Sequence, residues 1–266
     1  MDKIRALVTD ELEEIEHVLL NIIEKSNPTL ADLNDFLNGK SKRIRSIICL
    51  LYLKANNISI NKNIIILLSS SELIHNASLL HDDVIDNSHT RRNLQTLFDK
   101  YGSKMSILMG DYLLSTAVKE LLKLNNNQIL QFFLQCTKEM SNAEITQYLK
   151  RNKNTTIDEY IQIAEGKTAA LFSAILKSAA ELNGLDIKEA ERLGRIFGII
   201  FQINNDLNKE SAHNDKLNGV SNITDILGIE KSYVLKDNYK EEIKNIINKI
   251  PDNKYRQGIE GLINIL

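Results

Sequence analysis

The distribution of proline is the sequence feature that most constrains the fold. Only two prolines occur, Pro28 and Pro251, and both lie near the ends of the 266-residue chain. Proline breaks helix interiors, whereas turn-rich sheet proteins use it freely, so the long proline-free stretch favours long helices. Apolar residues also recur at spacings of three and four through most of the chain, and alternation with a period of two is scarce. The sequence therefore predicts an all-α protein.

This spacing divides the chain into about ten helices. They are predicted at residues 1–25, 41–56, 61–86, 93–100, 104–124, 126–150, 156–183, 187–209, 226–248 and 254–266. Thr156 and Glu159 have the spacing of a capping box, which marks one helix start, and Asn183-Gly184 marks the end of that helix. Because no repeat of fixed period and no long linker interrupts the pattern, we expect a single domain over residues 1–266.

Composition and charge exclude several classes of protein. Hydrophobic residues make up 43% of the chain and charged residues 26%, as in ordinary globular domains. The formal net charge of −2 gives no long-range attraction to nucleic acid, so we expect no such partner. Without a signal-peptide pattern or an uncharged apolar run of roughly 18 residues, we expect no transmembrane segment and a cytoplasmic location. Cys49 and Cys136 lie in apolar helical stretches, which predicts buried, reduced thiols.

The helical segment that ends in Asp82-Asp83-Val84-Ile85-Asp86 carries the most informative side chains. Asp82 and Asp86 are four residues apart, so their carboxylates share a helix face, and His75 lies near that face two turns earlier. Mg²⁺ would relieve the repulsion between the two carboxylates, and it commonly completes its coordination with substrate phosphates. Arg91-Arg92 follow, and guanidinium groups suit diphosphate oxygens. The pattern indicates a Mg²⁺–diphosphate site; the simpler alternative is a solvated acidic helix end.

This segment resembles the first aspartate-rich motif of the trans-isoprenyl diphosphate synthase (polyprenyl synthetase) family. Further blocks match the family's motifs in the same order along the chain, over roughly residues 37–231. These blocks are Lys42-Arg43-Ile44-Arg45, Tyr101-Gly102, Gly110-Asp111-Tyr112-Leu113, Glu144 with Gln147, Tyr160, Lys167-Thr168, Leu171-Phe172 and Phe201-Gln202-Ile203. The resemblance implies an isoprenoid-synthase-type helical bundle around a central cavity.

The resemblance also implies an activity and a set of site residues. The expected enzyme is a prenyltransferase that condenses isopentenyl diphosphate with an allylic prenyl diphosphate, with Mg²⁺ as cofactor and Asp82 and Asp86 as metal ligands. The implied catalytic residues are Asp82, Asp83, Asp86, Lys167 and Gln202. The implied ligands of the allylic diphosphate are Arg91, Lys167, Thr168 and Gln202. The implied ligands of isopentenyl diphosphate are Lys42, Arg45, His75 and Arg92. Taken alone, His75 would instead fit a core histidine, and Lys42 with Arg45 a solvated basic face.

Two small residues, Ala77 and Ser78, precede Asp82 by about one helical turn. In the resembling family, a bulky aromatic residue at this place closes the product tunnel, and a small residue leaves it open. The resemblance therefore implies a product longer than C15.

The second half of the expected site departs from the family pattern. Where the family has a second DDxxD motif, this chain has Asn205-Asp206-Leu207-Asn208-Lys209, so that Asp206, with help from Glu210, is the remaining possible metal ligand. Val220 stands at the place of a family lysine that reaches the allylic diphosphate. Two interpretations remain open: an active synthase in which Lys209 contacts diphosphate directly, or a weakly active or non-catalytic subunit of a heteromeric synthase. Because the family commonly forms dimers, we expect a homodimer or a heteromer with a paralogous synthase.

Overall fold

The computed structural model describes residues 1–26, 31–38, 41–91, 94–208 and 218–266, and these are almost entirely helical. The helices are α1 (Asp2–Arg5), α2 (Thr9–Ser26), α3 (Ala31–Asn38), α4 (Ile44–Ala55), α5 (Lys62–Ile85), α6 (Leu97–Leu122), α7 (Asn127–Lys150), α8 (Ile157–Ala164), α9 (Ala170–Asn183), α10 (Ile187–Asp206), α11 (Ile223–Leu227), α12 (Ile229–Ile247) and α13 (Lys254–Ile265). A 3₁₀ turn, Ala6–Val8, follows α1, and a π-helical turn, Glu165–Ala169, joins α8 to α9. A short antiparallel pair of strands, β1 (Thr90–Arg91) and β2 (Leu94–Gln95), precedes α6. The predicted all-α class is confirmed.

The local signals at helix ends act as the sequence predicts. The Asn61 side chain caps α5 by accepting hydrogen bonds from the backbone N–H groups of Asn63 and Ile64. The capping box between Thr156 and Glu159 begins α8, because both side chains satisfy N–H groups that lack helical partners. Gly184 ends α9 at a φ of 66°, a conformation that glycine adopts without a Cβ clash.

Several helix boundaries differ from the predicted ones. The helix predicted over 1–25 is divided by the 3₁₀ turn Ala6–Val8 into α1 and α2. Residues 97–100 of the stretch predicted at 93–100 join residues 104–122 of the next predicted stretch in the single helix α6, which is interrupted at Gly102 with φ 78° and ψ 172°, whereas Leu94–Gln95 form β2 instead of helix. The stretch predicted at 226–248 is divided by Gly228. Helix α3 and the two short strands carry no clear periodic signal and were not predicted.

The described residues group into two compact units. Unit A lies within residues 8–50 and 60–130, and unit B comprises residues 1–7, 51–59 and 131–266. In unit A, α5 packs along α6 and against α2, and in unit B, α10 packs on α9, on the π-helical turn and on α12. Single-domain organisation stays a prediction.

Helix α5 and the two cysteines are largely buried. Cys49 and Cys136 are free and buried, as predicted, and burial raises the pKa of the Cys49 thiol far above its ordinary value. Within the described residues, α5 is the one helix long and apolar enough to cross a membrane, but 72% of its most apolar window is buried inside the protein. Length and hydropathy alone therefore do not distinguish α5 from a core helix.

Candidate functional site

Helix α5 has an accessible stripe of polar residues on a largely buried surface, and toward its end Leu79, His81, Val84 and Ile85 are partly exposed as well. Most of the helix between Ile64 and Leu80 is buried, but His75, Ser78, Asp82 and Asp86 are all partly exposed. These four residues follow one another at spacings of three, four and four, so they share one helix face. The structure thus brings the predicted His75, Asp82 and Asp86 to a single accessible surface in unit A.

Asp83 faces away from this stripe. Its side chain is fully buried, its Oδ1 accepts a hydrogen bond from Arg91 Nε at 2.9 Å, and the ion-pair distance from this oxygen to Arg91 Nη2 is 2.8 Å. Burial raises the pKa of the Asp83 carboxyl, and the hydrogen bond and charge of Arg91 oppose this shift. Its Oδ2 has no hydrogen-bond partner among the described residues. The geometry therefore makes Asp83 an anchor for Arg91 on β1; its catalytic role stays a prediction.

The carboxylates on the stripe fit a metal ion that arrives with an anionic ligand. Asp86 ends α5, and its backbone N–H donates to the Asp82 carbonyl at 2.8 Å, which fixes the two residues one turn apart. Among the described residues, no group of three or more His, Cys, Asp or Glu could hold a metal ion by itself. Two accessible carboxylates match Mg²⁺, which takes its remaining ligands from phosphate and water.

The basic segment at the start of α4 also contains both solvent-accessible and buried side chains. Lys42 is exposed and Arg45 is half-buried. Arg43, between them, is buried at a φ of 50°, and its Nη1 donates to Glu72 Oε2 at 2.8 Å. Ser46 Oγ donates to the other oxygen of Glu72 at 2.7 Å. Arg43 is thus part of a buried ion pair, whereas Lys42 and Arg45 retain access to solvent. The predicted site residue Arg92 lies outside the described residues.

In unit B, the π-helical turn presents two of the predicted residues. Lys167 Nζ donates to Gln147 Oε1 at 2.8 Å and lies 2.5 Å from Glu144 Oε2. Thr168 Oγ1 donates to Gln202 Oε1 at 2.6 Å. A π-helical turn inside a longer helix often occurs at a functional site, and here it directs two neighbouring side chains to different partners.

A buried chain of hydrogen bonds continues from Gln202. Gln202 Nε2 donates to Asp206 Oδ1 at 2.7 Å, and the Tyr160 hydroxyl donates to Asp206 Oδ2 at 2.7 Å. Both carboxylate oxygens of Asp206, which is 4% exposed, therefore already accept hydrogen bonds. Asn205 is half-buried near the end of α10. Lys209 and Glu210, which the sequence places next to this site, lie outside the described residues. A metal-binding role of Asp206 stays a prediction.

These polar side chains border a small pocket in unit B with a cavity volume of about 40 Å³. Its lining includes Gln147, Lys150, Tyr160, Lys167, Gln202 and Asp206. Lys150 was not predicted as a site residue. The available signal was its spacing of three from Gln147, which puts both on one face of α7.

The chain is similar in sequence to known prenyl diphosphate synthases. Residues 28–262 match the family described as Polyprenyl synthetase. A decaprenyl-diphosphate synthase from Dictyostelium discoideum is 32% identical over 216 residues, which cover 80% of this chain and 47% of that protein. A prenyl transferase from Cyanophora paradoxa is 33% identical over 211 residues, which cover 77% of this chain and 65% of that protein. The matched part thus spans about half to two thirds of these relatives.

The fold is similar to that of solved structures. A decaprenyl diphosphate synthase from Rhodobacter capsulatus superposes with a TM-score of 0.90 at 20% identity and covers 99% of this chain and 97% of that one. A polyprenyl synthase from Caulobacter crescentus, crystallised with calcium and isoprenyl diphosphate, superposes with a TM-score of 0.89 at 20% identity and covers 99% and 96%. At these identities, the likeness establishes the fold.

Proposed function

Because the chain belongs to the polyprenyl synthetase family, we propose that it is a Mg²⁺-dependent prenyltransferase that condenses isopentenyl diphosphate with an allylic prenyl diphosphate. The observation that carries this proposal is the accessible stripe of His75, Asp82 and Asp86 on the mostly buried helix α5. Two carboxylates at i and i+4, followed by an arginine anchored to Asp83, are suited to a metal ion and a diphosphate.

In unit A, Asp82 and Asp86 would hold Mg²⁺ and orient the allylic diphosphate. When bound, Mg²⁺ supplies stabilisation of the negative charge that develops on the leaving diphosphate. Arg91 contributes a further cation, and its ion pair with the buried Asp83 keeps the guanidinium in place before the ligand arrives. Such preorganised charge needs no reorganisation during the reaction.

A second group of unit A residues is proposed to bind the diphosphate of isopentenyl diphosphate. This group comprises Lys42, Arg45, His75 and Arg92. Lys42 and Arg45 flank the buried Arg43–Glu72 pair, so the backbone that presents them is held from the core side. A rigid support of this kind lowers the cost of ordering long basic side chains on binding.

In unit B, Lys167, Thr168 and Gln202 are proposed to contact the allylic diphosphate. The chain from Tyr160 through Asp206 fixes the Gln202 amide, whose nitrogen donates to Asp206 and whose oxygen accepts from Thr168. Apolar side chains pack around Tyr160; they include Ala164, Ala169, Ile199, Ile203 and Ile223. Their packing holds the Tyr160 ring, whose hydroxyl donates to Asp206.

A product longer than C15 is part of the proposal. Ser78 lies on the accessible stripe, whereas Ala77 is buried, so a small side chain stands one turn before Asp82 on the same face. The names of several relatives, among them decaprenyl, octaprenyl and solanesyl diphosphate synthases, support a long product.

Self-association is also proposed. Met105 and Leu108 are spaced by three on the part of α6 that follows Gly102, and both are exposed. They form one apolar stripe, here called the α6 stripe. An exposed apolar surface of this kind commonly marks a protein interface, and we propose that a second copy of the chain covers it.

Product analysis of the purified protein tests the proposed activity. With isopentenyl diphosphate, a C15 allylic primer and Mg²⁺, we expect a longer prenyl product, and we expect EDTA to abolish its formation.

Asp82→Asn should lower kcat by about 10²–10³-fold, because a main source of transition-state charge stabilisation is lost. Asp237→Asn, which changes an exposed acid on α12 outside the motif blocks, is the matched control and should retain activity. Absence of product from every primer between C5 and C20 would contradict catalysis by this chain alone. Activity only with a paralogous synthase would then support the heteromeric-subunit interpretation.

A further inference from the structure

We propose that Lys150 is a second diphosphate-binding cation in the unit B pocket, so that this wall neutralises its ligand with the ammonium groups of Lys150 and Lys167 rather than with a second metal ion. The proposal rests on the proposed function and adds a residue to that site. Neither the family motifs in the sequence nor the spacing of the aspartates pointed to Lys150.

The position of Lys150 follows from the geometry of α7. Gln147 follows Glu144, and Lys150 follows Gln147, at a spacing of three, and residues so spaced are neighbours on the helix surface with Cβ atoms about 5–6 Å apart. Lys167 Nζ contacts the first two of them, at 2.5 Å from Glu144 Oε2 and 2.8 Å from Gln147 Oε1. Lys150 therefore stands one turn beyond the anchor of Lys167, and both lysines line the same pocket.

The charge of the lining favours an anion over a metal cation. Among the residues that line the pocket, two are lysines and one, Asp206, is an acid. The two oxygens of Asp206 already accept hydrogen bonds from Tyr160 and Gln202. A divalent cation would meet two ammonium groups here, whereas a diphosphate would meet two complementary charges by replacing the carboxylates of Glu144 and Glu159, with which the two lysines are paired.

The ion pair of Lys150 positions it without neutralising it strongly. Lys150 Nζ lies 2.5 Å from Glu159 Oε1, with the two side chains 35% and 33% exposed. Glu159 Oε2 accepts the backbone N–H of Thr156 in the capping box, so the position of Glu159 is set by the start of α8. Solvent-exposed ion pairs of this kind are weak, and a bound diphosphate can compete with Glu159 for the ammonium.

Among the described residues, the opposite edge of the pocket supplies no charge. Gly219 O accepts a hydrogen bond from Asn152 N at 2.8 Å, which brings Val220 and Ser221 to the pocket next to the end of α7. Val220 is apolar, so the positive charge on this side comes from Lys150. The cavity volume of about 40 Å³ corresponds to room for about three waters, which suits a phosphate group and is too small for a prenyl chain.

Titration with inorganic pyrophosphate tests the role of Lys150. Pyrophosphate is titrated calorimetrically into the full-length protein without Mg²⁺. Under this condition, no metal ion can bridge the aspartates of α5 to the pyrophosphate. We expect Lys150→Gln to weaken pyrophosphate binding about tenfold, because a charge-assisted contact is lost. Lys150→Arg keeps the charge and should bind as the wild type does. Lys153→Gln is the matched control, because Lys153 is exposed and its Nζ donates to Leu149 O at 2.8 Å.

The outcomes separate this proposal from the proposed function. Equal pyrophosphate affinity of the Lys150→Gln and Lys153→Gln proteins overturns the role of Lys150, even if the wild type makes product. Binding that depends on Lys150 in a protein that makes no prenyl product supports the anion site and overturns the synthase activity. A wild-type protein that does not bind pyrophosphate at all overturns the anion site itself.

Discussion

Adjacent residues in the same motif have opposite structural roles. Asp82 lies on the accessible stripe of α5, whereas Asp83 is fully buried and paired with Arg91. One step along a helix turns a side chain by about 100°, which separates the accessible Asp82 from the core-facing Asp83. In the basic segment, Arg43 is buried against Glu72 while Lys42 and Arg45 keep access to solvent. Arg43 precedes α4 and has a φ of 50°, so here the non-helical backbone directs the side chain to the core.

We expect Ser78→Phe to shorten the product. Ser78 lies on the accessible stripe one turn before Asp82, so a phenyl ring there would occupy space proposed for the growing prenyl chain. The measurement is chromatography of the products formed from a C15 primer or a shorter one. Ser141→Phe makes the same exchange at an exposed site on α7 and should leave product length unchanged. An unaltered product distribution for Ser78→Phe would contradict the assignment of the chain to this face.

Arg43→Met should destabilise the protein by about 3–5 kcal/mol, because it leaves Glu72 as an uncompensated buried charge. Both side chains are only 2% exposed, so solvent does not screen the remaining carboxylate. Urea unfolding measures the free energy of unfolding. The double variant Arg43→Met/Glu72→Leu removes both charges and should recover most of the loss. A double variant as unstable as the single one would show that the charge pair is not the cause.

At the scale of secondary-structure elements, the π-helical turn Glu165–Ala169 organises unit B. It presents Lys167 toward α7 and Thr168 toward Gln202 on α10. Gly198, one turn before Gln202, makes this approach possible, since a Cβ there would lie 2.4 Å from the Ala169 Cα. The close packing of α10 on the turn therefore depends on a glycine and sets the position of two proposed diphosphate ligands.

Gly198→Ala should lower the free energy of unfolding by about 1–3 kcal/mol through overpacking. It should also reduce kcat/KM, because the turn that carries Lys167 and Thr168 must shift. Thermal unfolding and steady-state kinetics measure the two effects. The control is Gly261→Ala on α13, where a Cβ would meet only the flexible Ile4 Cδ1 at 3.1 Å. This control should be neutral or, through helix propensity, stabilising by up to about 1 kcal/mol. Wild-type stability of Gly198→Ala would contradict the close helix contact.

At the scale of the whole molecule, several large apolar side chains of the described residues are exposed. The α6 stripe of Met105 and Leu108 is one example, and Leu134 and Ile145 on α7 are exposed as well. Scattered apolar residues are normal on protein surfaces, but a stripe at helical spacing is typical of a helix that packs against a partner. The dimer or heteromer expected from the sequence stays a prediction, and the α6 stripe is the surface proposed as its interface.

We expect the purified protein to be a dimer and Leu108→Glu to shift it toward the monomer, because a carboxylate on the α6 stripe would have to be desolvated at the interface. Light scattering coupled to size-exclusion chromatography measures the mass. Leu94→Glu is the matched control, since Leu94 and Leu108 are both 62% exposed and Leu94 lies on β2, outside the stripe. An unchanged mass of the Leu108→Glu protein would rule out the stripe as the interface.

Sequence patterns that span only a few residues were sufficient to predict most of the helices and the α5 face of the candidate site. The absence of internal proline, the apolar spacing and the caps at Asn61, Thr156 and Gly184 act within one or two turns, so their effect can be derived without a tertiary structure. The shared face of Asp82 and Asp86 follows from helical spacing in the same way. Helix α3 and the short strands escaped prediction because no local pattern marks them.

Only the tertiary structure decided which polar residues are ligand-facing and which are buried partners. Arg43 meets Glu72 across 29 positions of the chain, Lys167 meets Gln147 across 20, and Tyr160 meets Asp206 across 46. Such contacts depend on how helices pack, and no local pattern encodes the packing of distant segments. For the same reason, nothing in the sequence distinguishes Lys150 from any other charged residue at the end of a helix. Its place in the unit B pocket is set by helix packing and by the chain segment that carries Val220.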